Sequence, residues 1–408
     1  MADNSPNSNA DALRRAITSA CAAQNEGRLE EAKQQYLLLL ESLPHSSFLR
    51  YNIGLVYFDL GNFALALDAF SRADFHKPGD EDTLFNLALC QKKTGDRPAA
   101  IATYRRILTT APDHADCLYN LGGCYRDLYD DEQAIACYQR VLTLKPAYVP
   151  AANNLAYLHH RAGETDQAIL YYTQVLEQRP EDESVRYLLS ALLGIPLDHP
   201  PDSYVCGFFD TYAEDFEHNL VEELGYDNPQ QLYACLCHSS AQGVACAHGL
   251  DLGCGTGLGG LSFKGMVAVL DGVDLSRNML AQAAQKGCYD QTHPDSIIHH
   301  LESTQETYDF YLATDVFIYV GDLLAIFTAA QAIARPEALF CFSTEHLDAE
   351  GFQLLPTGRF AYAPEYIRRI AAATGWVVLA QEPARLRKER ETWITGDLWI
   401  LRLAKLDA

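Results

Sequence analysis

Apolar positions in the first half of the chain recur on a fixed ruler of 34 residues. Small residues stand at Ala32, Ala66, Ala100, Ala134 and Ala168, and an aromatic follows each four residues later at Tyr36, Phe70, Tyr104, Tyr138 and Tyr172. Pro44, Pro78, Pro112, Pro146 and Pro180 keep the same step. So do Gly27, Gly61, Gly95 and Gly163, with Tyr129 the one departure. A fixed period of this length marks a stack of identical supersecondary units. The pattern predicts five antiparallel helical hairpins, with Ile53-Gly54, Leu87-Ala88, Leu121-Gly122 and Leu155-Ala156 on first helices. Small residues let paired helices approach closely, the aromatic fills space towards the next hairpin, and proline closes each unit.

The last helix of this pattern, Glu183 to Gly194, reads as a cap on the array, and Ile195 to Ser203 (IPLDHPPDS) is a break that helices do not cross. Beyond it short apolar runs alternate with amphipathic helices, the mark of an α/β sheet. Strands are expected at Gly249–Leu252, Val269–Val273, Ser296–His299, Tyr308–Ala313, Ala338–Ser343, Trp376–Leu379 and Leu398–Leu403. The last two lack a helix between them and are expected to pair antiparallel, whereas the earlier strands need crossovers. The predicted organisation is an all-α solenoid over 11–194, a linker over 195–204 and a seven-stranded α/β domain over 205–408.

With 48% hydrophobic and 21% charged residues the chain is globular in composition. The first fifteen residues lack the apolar stretch of a secretory signal, and no uncharged apolar run is long enough to span a bilayer. Twelve scattered cysteines suit reduced thiols, so a cytoplasmic protein without disulfides is expected. Net charge is −23, and the excess lies mostly past residue 194, where 29 acidic residues face 13 basic ones. Such a surface repels a polyanion, so a nucleic-acid substrate is not expected. The basic run Arg385 to Arg390 reads as a solvated face or strand end.

Candidate chemistry begins where the first strand runs into Gly249-Leu-Asp-Leu-Gly-Cys-Gly-Thr-Gly257. Glycines at 253, 255 and 257 permit a sharp turn and a close backbone approach to a ligand. Asp274, at the end of the second strand, can accept hydrogen bonds from both hydroxyls of a ribose. Gly255, Gly257 and Gly260 also match a dinucleotide fingerprint. Asp251 separates the two readings, because a carboxylate there suits an ammonium and a sulfonium better than a pyrophosphate.

On these residues the first half resembles the tetratricopeptide repeat family, and the stretch from about Val205 to Leu403 resembles class I S-adenosylmethionine-dependent methyltransferases, whose fold is Rossmann-like. The resemblance implies S-adenosylmethionine as cofactor, with Asp251, Gly253, Cys254, Gly255 and Gly257 around its methionine arm and Asp274 on the ribose. It further implies Leu275 and Met279 beside the adenosine, Tyr212 on a covering helix, and Ala313 at the end of the fourth strand. Leu301 or Glu302 is the expected reader of the adenine amino group.

Methyl transfer needs an aligned acceptor, and a base only where the nucleophile carries a proton. Asp315, Tyr319, Glu345 and His346 are the candidates for catalysis. Leu354 to Tyr362 could form a substrate-side lid with Arg359 and Tyr362 gripping a polar or anionic acceptor. Cys235, Cys237, His238, Cys246 and His248 cluster in sequence but lack paired-ligand spacing, and no metal is expected. The repeats are expected to hold a protein or peptide that brings a protein or carrier-bound substrate. The alternatives are repeats that form a homodimer of a small-metabolite enzyme, or a non-enzymatic cofactor-binding adaptor.

Overall fold

The computed structural model describes residues 6–405 other than 213–216, 218–219, 222–223, 240–243 and 390–391. It divides into two compact units, 1–178 and 179–408.

The first unit is five helical hairpins. They are α1 (Pro6–Asn25) with α2 (Leu29–Ser42), α3 (Ser47–Asp59) with α4 (Phe63–His76), and α5 (Glu81–Lys93) with α6 (Arg97–Thr110). Then follow α7 (Ala115–Arg126) with α8 (Asp131–Leu144), and α9 (Val149–Ala162) with α10 (Thr165–Gln178). Every alanine and aromatic of the 34-residue columns is buried. The aromatics also pack within their own hairpin, while Tyr104 lies near Cys117 and Cys124 of the next one as expected. A Cβ on Gly54 would lie 2.7 Å from the Phe70 ring, and one on Gly122 would lie 2.9 Å from the Tyr138 ring, so each small residue makes room for the aromatic of its partner helix. The turn column needs a left-handed backbone: Gly61 has φ +75°, and Tyr129 adopts φ 59° where the glycine is missing.

The second unit opens with α11 (Glu183–Leu193), the helix expected to cap the repeats. Its Tyr187 and Ala191 belong to the core of the α/β domain, and the Tyr187 hydroxyl donates to the Gly358 carbonyl at 2.9 Å. Compactness therefore divides the chain about sixteen residues ahead of the expected boundary at 194, because α11 buries its apolar face with the second unit. Next come α12 (Asp202–Tyr212), α13 (Asn228–Ser239), β1 (Cys246–Leu252), α14 (Leu258–Phe263), β2 (Val267–Asp274), α15 (Arg277–Lys286) and β3 (Gln291–Pro294). The chain continues through α16 (Ile297–Ser303), β4 (Tyr308–Ala313), α17 (Leu324–Ala332), β5 (Ala334–His346), β6 (Phe352–Leu354) and β7 (Phe360–Tyr362). It ends with α18 (Pro364–Ala373), β8 (Trp376–Glu389) and β9 (Thr392–Leu403).

Among the described residues these strands form one nine-stranded sheet in which β3, β2, β1, β4 and β5 run parallel in that spatial order. As expected, β8 and β9 pair antiparallel, and β9 lies along β5. Successive side chains alternate between two apolar layers: Leu250, Leu252 and Val273 face the core that holds α11, α17 and α18, while Leu270, Phe310, Leu312 and Cys341 face α13 and α14.

Two expectations change. The third strand is Gln291–Pro294, not Ser296–His299, and the latter segment opens a helix. Ile297 and Ile298 look like strand residues, but Ser296 caps α16 by accepting the His299 N–H at 3.2 Å. The segment expected as a lid is instead the β6–β7 hairpin. Glu345 has Ala361 of β7 on one edge and Gly396 of β9 on the other, so β7 continues the β4 side of the sheet past the end of β4.

Candidate functional site

The carboxyl end of β1 carries Asp251, only 1% exposed. Its Oδ2 accepts the Tyr289 hydroxyl at 2.7 Å, whereas Oδ1 is buried with no hydrogen-bond partner among the described residues. Burial pushes this carboxyl up to about 7, with the Tyr289 bond opposing and Asp274 adding to the rise. After β1 the backbone N–H groups of Gly253 and Cys254 both donate to the Val273 carbonyl, at 2.8 and 3.0 Å, and so tie the turn to β2. Gly253 is held at φ +68° with Val316 against it, where a Cβ would lie 2.5 Å away. The Cys254 thiol is buried, and a Cβ on Gly272 would meet it at 2.7 Å. Gly257 takes φ +95° before α14.

Gly255 differs from its neighbours. At φ +53° a Cβ there would meet nothing within 4 Å among the described residues. Its N–H donates to Asp274 Oδ2 at 2.9 Å, and the Ser276 N–H donates to Oδ1 at 2.8 Å. Burial raises the Asp274 carboxyl and these two N–H groups pull it back, leaving an oriented acceptor with lone pairs to spare. Met279 is buried on α15, Leu275 is half-buried, and Ala313 is buried at the end of β4.

The helix α12 packs on the loop between β2 and α15. Ser276 Oγ donates to Asp210 at 2.5 Å and Asn278 Nδ2 donates to the Asp210 carbonyl at 3.2 Å. Phe209 on the same helix meets the Tyr319 ring edge-on at 5.2 Å. Tyr212 ends α12, and its side chain lies outside the described residues. Leu301 is buried in the core and Glu302 exposed on α16. The displaced third strand instead brings Asp295 to the sheet's carboxyl edge, where its N–H donates to the Asp274 carbonyl at 3.2 Å.

A second cluster follows β4. Asp315 sits at φ 58°, its N–H donating to Ser343 Oγ at 3.0 Å. The Arg387 guanidinium bridges Asp315 and Glu345. Arg359 donates to Glu345 at 3.0 Å and also pairs with Glu389. Burial pushes the Asp315 carboxyl up to about 6 against the pull of Arg387. Burial also raises the Tyr319 hydroxyl, while Arg359 and Arg387 oppose that rise. The two clusters meet at Thr314: a Cβ on Gly259 would lie 2.8 Å from Asp251 Oδ2 and 3.3 Å from Thr314 Oγ1. Tyr226, a buried residue not singled out in the sequence, lies near Thr314, Asp251 and Asp315.

The structure thus gathers Asp315, Tyr319, Glu345 and Arg359 and leaves out two other candidates. His346 points away at the end of β5 between Asp397 (2.7 Å) and Asp348 (3.2 Å), and the Asp397 bond raises its pKa. Tyr362 is fully buried, and its hydroxyl joins the Phe317 carbonyl (2.7 Å) to the Gly321 N–H (3.1 Å). Arg387, taken from the sequence as solvated, is 5% exposed. A register shift in β8 between Arg385 and Arg387 turns it inward, as β-bulges do next to functional sites. Of the cysteines and histidines clustered in sequence, Cys235 and Cys246 lie in an apolar core that pushes both thiols up to about 12, and His248 pairs with Asp271 at 2.8 Å.

Fold and site define a helical repeat protein joined to a Rossmann-like α/β domain, with a glycine turn at the carboxyl ends of β1 and β2. A family model described as a methyltransferase domain matches residues 250–342, and models described as tetratricopeptide repeats match 17–81, 85–149 and 130–192. The chain is built from tetratricopeptide repeats and a methyltransferase domain. It is similar to a ubiquinone biosynthesis O-methyltransferase of Glaesserella parasuis serovar 5 (strain SH0165), at 26% identity over 117 residues. That match takes in 27% of this chain and spans 50% of the relative's length. Among solved structures, MamA from Desulfovibrio magneticus RS-1 aligns at 19% identity and TM-score 0.40, over 42% of this chain and 97% of its own. The N-methyltransferase NodS from Bradyrhizobium japonicum WM9, in complex with S-adenosyl-L-homocysteine, aligns at 17% and 0.36, over 48% and 98%. Among the described residues no helix is long and apolar enough to cross a membrane.

Proposed function

We propose that the chain is an S-adenosylmethionine-dependent methyltransferase whose repeats bring a protein or carrier-bound acceptor to the site. The observation that carries this reading is the buried Oδ1 of Asp251, which has no hydrogen-bond partner among the described residues, at the strand end that leads into the glycine turn. A buried carboxylate oxygen left without a donor is costly, and an ammonium on the ligand supplies the missing donor. The residues fit the cofactor on that ground. Asp251 would take the ammonium, the Gly253–Gly257 turn would hold the methionine arm, Asp274 would accept the ribose hydroxyls, and Leu275, Met279 and Ala313 would line the adenosine site. Asp295, whose N–H donates to the Asp274 carbonyl, would read the adenine amino group in place of Leu301 or Glu302.

When bound, the cofactor supplies a methyl group activated by a sulfonium, which leaves the protein to align the acceptor and exclude water. On the acceptor side Asp315 is the group suited to hold a proton from a hydroxyl or ammonium nucleophile, since burial brings it close to neutrality. Arg387 and Arg359 fix Asp315 and Glu345 in place, and Tyr319 lies between them and α12.

A labelled-methyl assay on cell lysate, separated into protein and small-molecule fractions, tests the reading. Label is expected in the protein or carrier-bound fraction with the full chain and much less with residues 179–408 alone. Equal transfer by both would sink the recruiting role, and label in small metabolites alone would sink the acceptor class.

A further inference from the structure

Tyr289 is a residue that the family resemblance does not single out, yet three glycines, Gly257 in the turn, Gly260 on α14 and Gly272 on β2, are shaped around its ring. A Cβ on Gly260 would lie 2.5 Å from it, one on Gly257 3.2 Å, and one on Gly272 3.3 Å. The last glycine of the apparent dinucleotide fingerprint is therefore glycine to admit a tyrosine, not a pyrophosphate. With its ring so held, the hydroxyl accepts the Gly260 N–H at 3.1 Å and donates to Asp251 Oδ2 at 2.7 Å. Its single proton is committed to Oδ2 because its acceptor side is occupied by the backbone. The carboxylate is thereby fixed in rotation with Oδ1 left over.

We propose that Tyr289 is the positioning residue of the donor site: it locks Asp251 so that Oδ1 alone is presented to the cationic amino-acid arm of the ligand. This rests on the cofactor reading above. A hydrogen bond to the ionised form also favours the charge on Asp251 that the ammonium needs. The other groups facing Asp251 work against that charge or leave it unsupported. They are Asp274 at the end of β2, the Cys254 thiol in the turn, the Cys288 thiol after α15, and Tyr226. Among these neighbours Tyr289 is the donor.

The test is calorimetric binding to the full chain of two ligands that share the adenosine: S-adenosylmethionine, and methylthioadenosine, which lacks the amino-acid arm. Tyr289→Phe keeps the ring and removes the hydroxyl. Affinity for S-adenosylmethionine should fall on the order of tenfold, as for a lost hydrogen bond to a charged group, with methylthioadenosine unchanged. The pH at which S-adenosylmethionine binding is half lost should move upward. An isosteric fluorotyrosine at the same position, a stronger donor, should shift both the affinity and that pH the opposite way, and it serves should the phenylalanine chain not fold. Equal weakening of both ligands would make Tyr289 merely structural, and no change in either would overturn the proposal. Wild-type chain that binds neither ligand would instead defeat the cofactor reading itself.

Discussion

Asp251 and Asp315 are two carboxyls raised by burial, and they differ in what compensates them. Asp315 has the Arg387 guanidinium beside it, whereas Asp251 has one neutral hydroxyl and an unused oxygen. An ammonium binds only the ionised form of Asp251, so affinity for S-adenosylmethionine should fall as pH drops below about 7. The limiting slope is about tenfold per pH unit, measurable by titration between pH 5 and 8. Arg387 is the partner whose removal strands Asp315 and leaves Glu345 with Arg359 alone. Arg387→Ala should cost about 3 to 5 kcal/mol of stability, read as a lowered midpoint of unfolding of the second unit. The acids of the donor site were legible in the sequence because a strand end, a glycine turn and the next strand end are close in chain and fix one another locally. Tyr289 and Arg387 were not. Tyr289 reaches Asp251 across 38 residues, and Arg387 faces inward through a bulge that breaks the alternation a sequence reader relies on.

At the scale of elements, the 34-residue period was enough to place ten helices, since each column records one packing contact. What it did not reveal is that the aromatic also presses on the small residue of its own hairpin. Gly54→Ala should therefore push the Phe70 ring off α3 and cost about 1 to 3 kcal/mol in chemical unfolding of the repeats, despite alanine's better helix propensity. Gly61, with open space around it, should also resist alanine, by about 1 to 2 kcal/mol, because the penalty there is the left-handed backbone. The third strand was misplaced for a related reason. A β-branched pair follows Asp295-Ser296, and the capping bond of Ser296 outweighed the strand preference of Ile297 and Ile298.

Across the whole molecule, the helix that reads as the last of the repeats lies in the core of the methyltransferase domain. Tyr187 holds Gly358, the residue before Arg359, and Gly358 itself is packed by Leu188 and Tyr204. A chain of 179–408 should accordingly fold cooperatively and bind S-adenosylmethionine, whereas 195–408, cut at the boundary the sequence suggests, should unfold at markedly lower temperature. Circular dichroism melts of the two fragments check this. The central claim is that the turn between β1 and β2 binds S-adenosylmethionine through Asp251 and Asp274. Calorimetric titration of the full chain, repeated with Asp274→Ala, tests it most directly. The account predicts one site per chain in the wild type and at least tenfold weaker binding in the variant, as two backbone donors lose their acceptor and the ribose loses its own. Absence of binding by the wild type, or equal affinity in the two proteins, would contradict it.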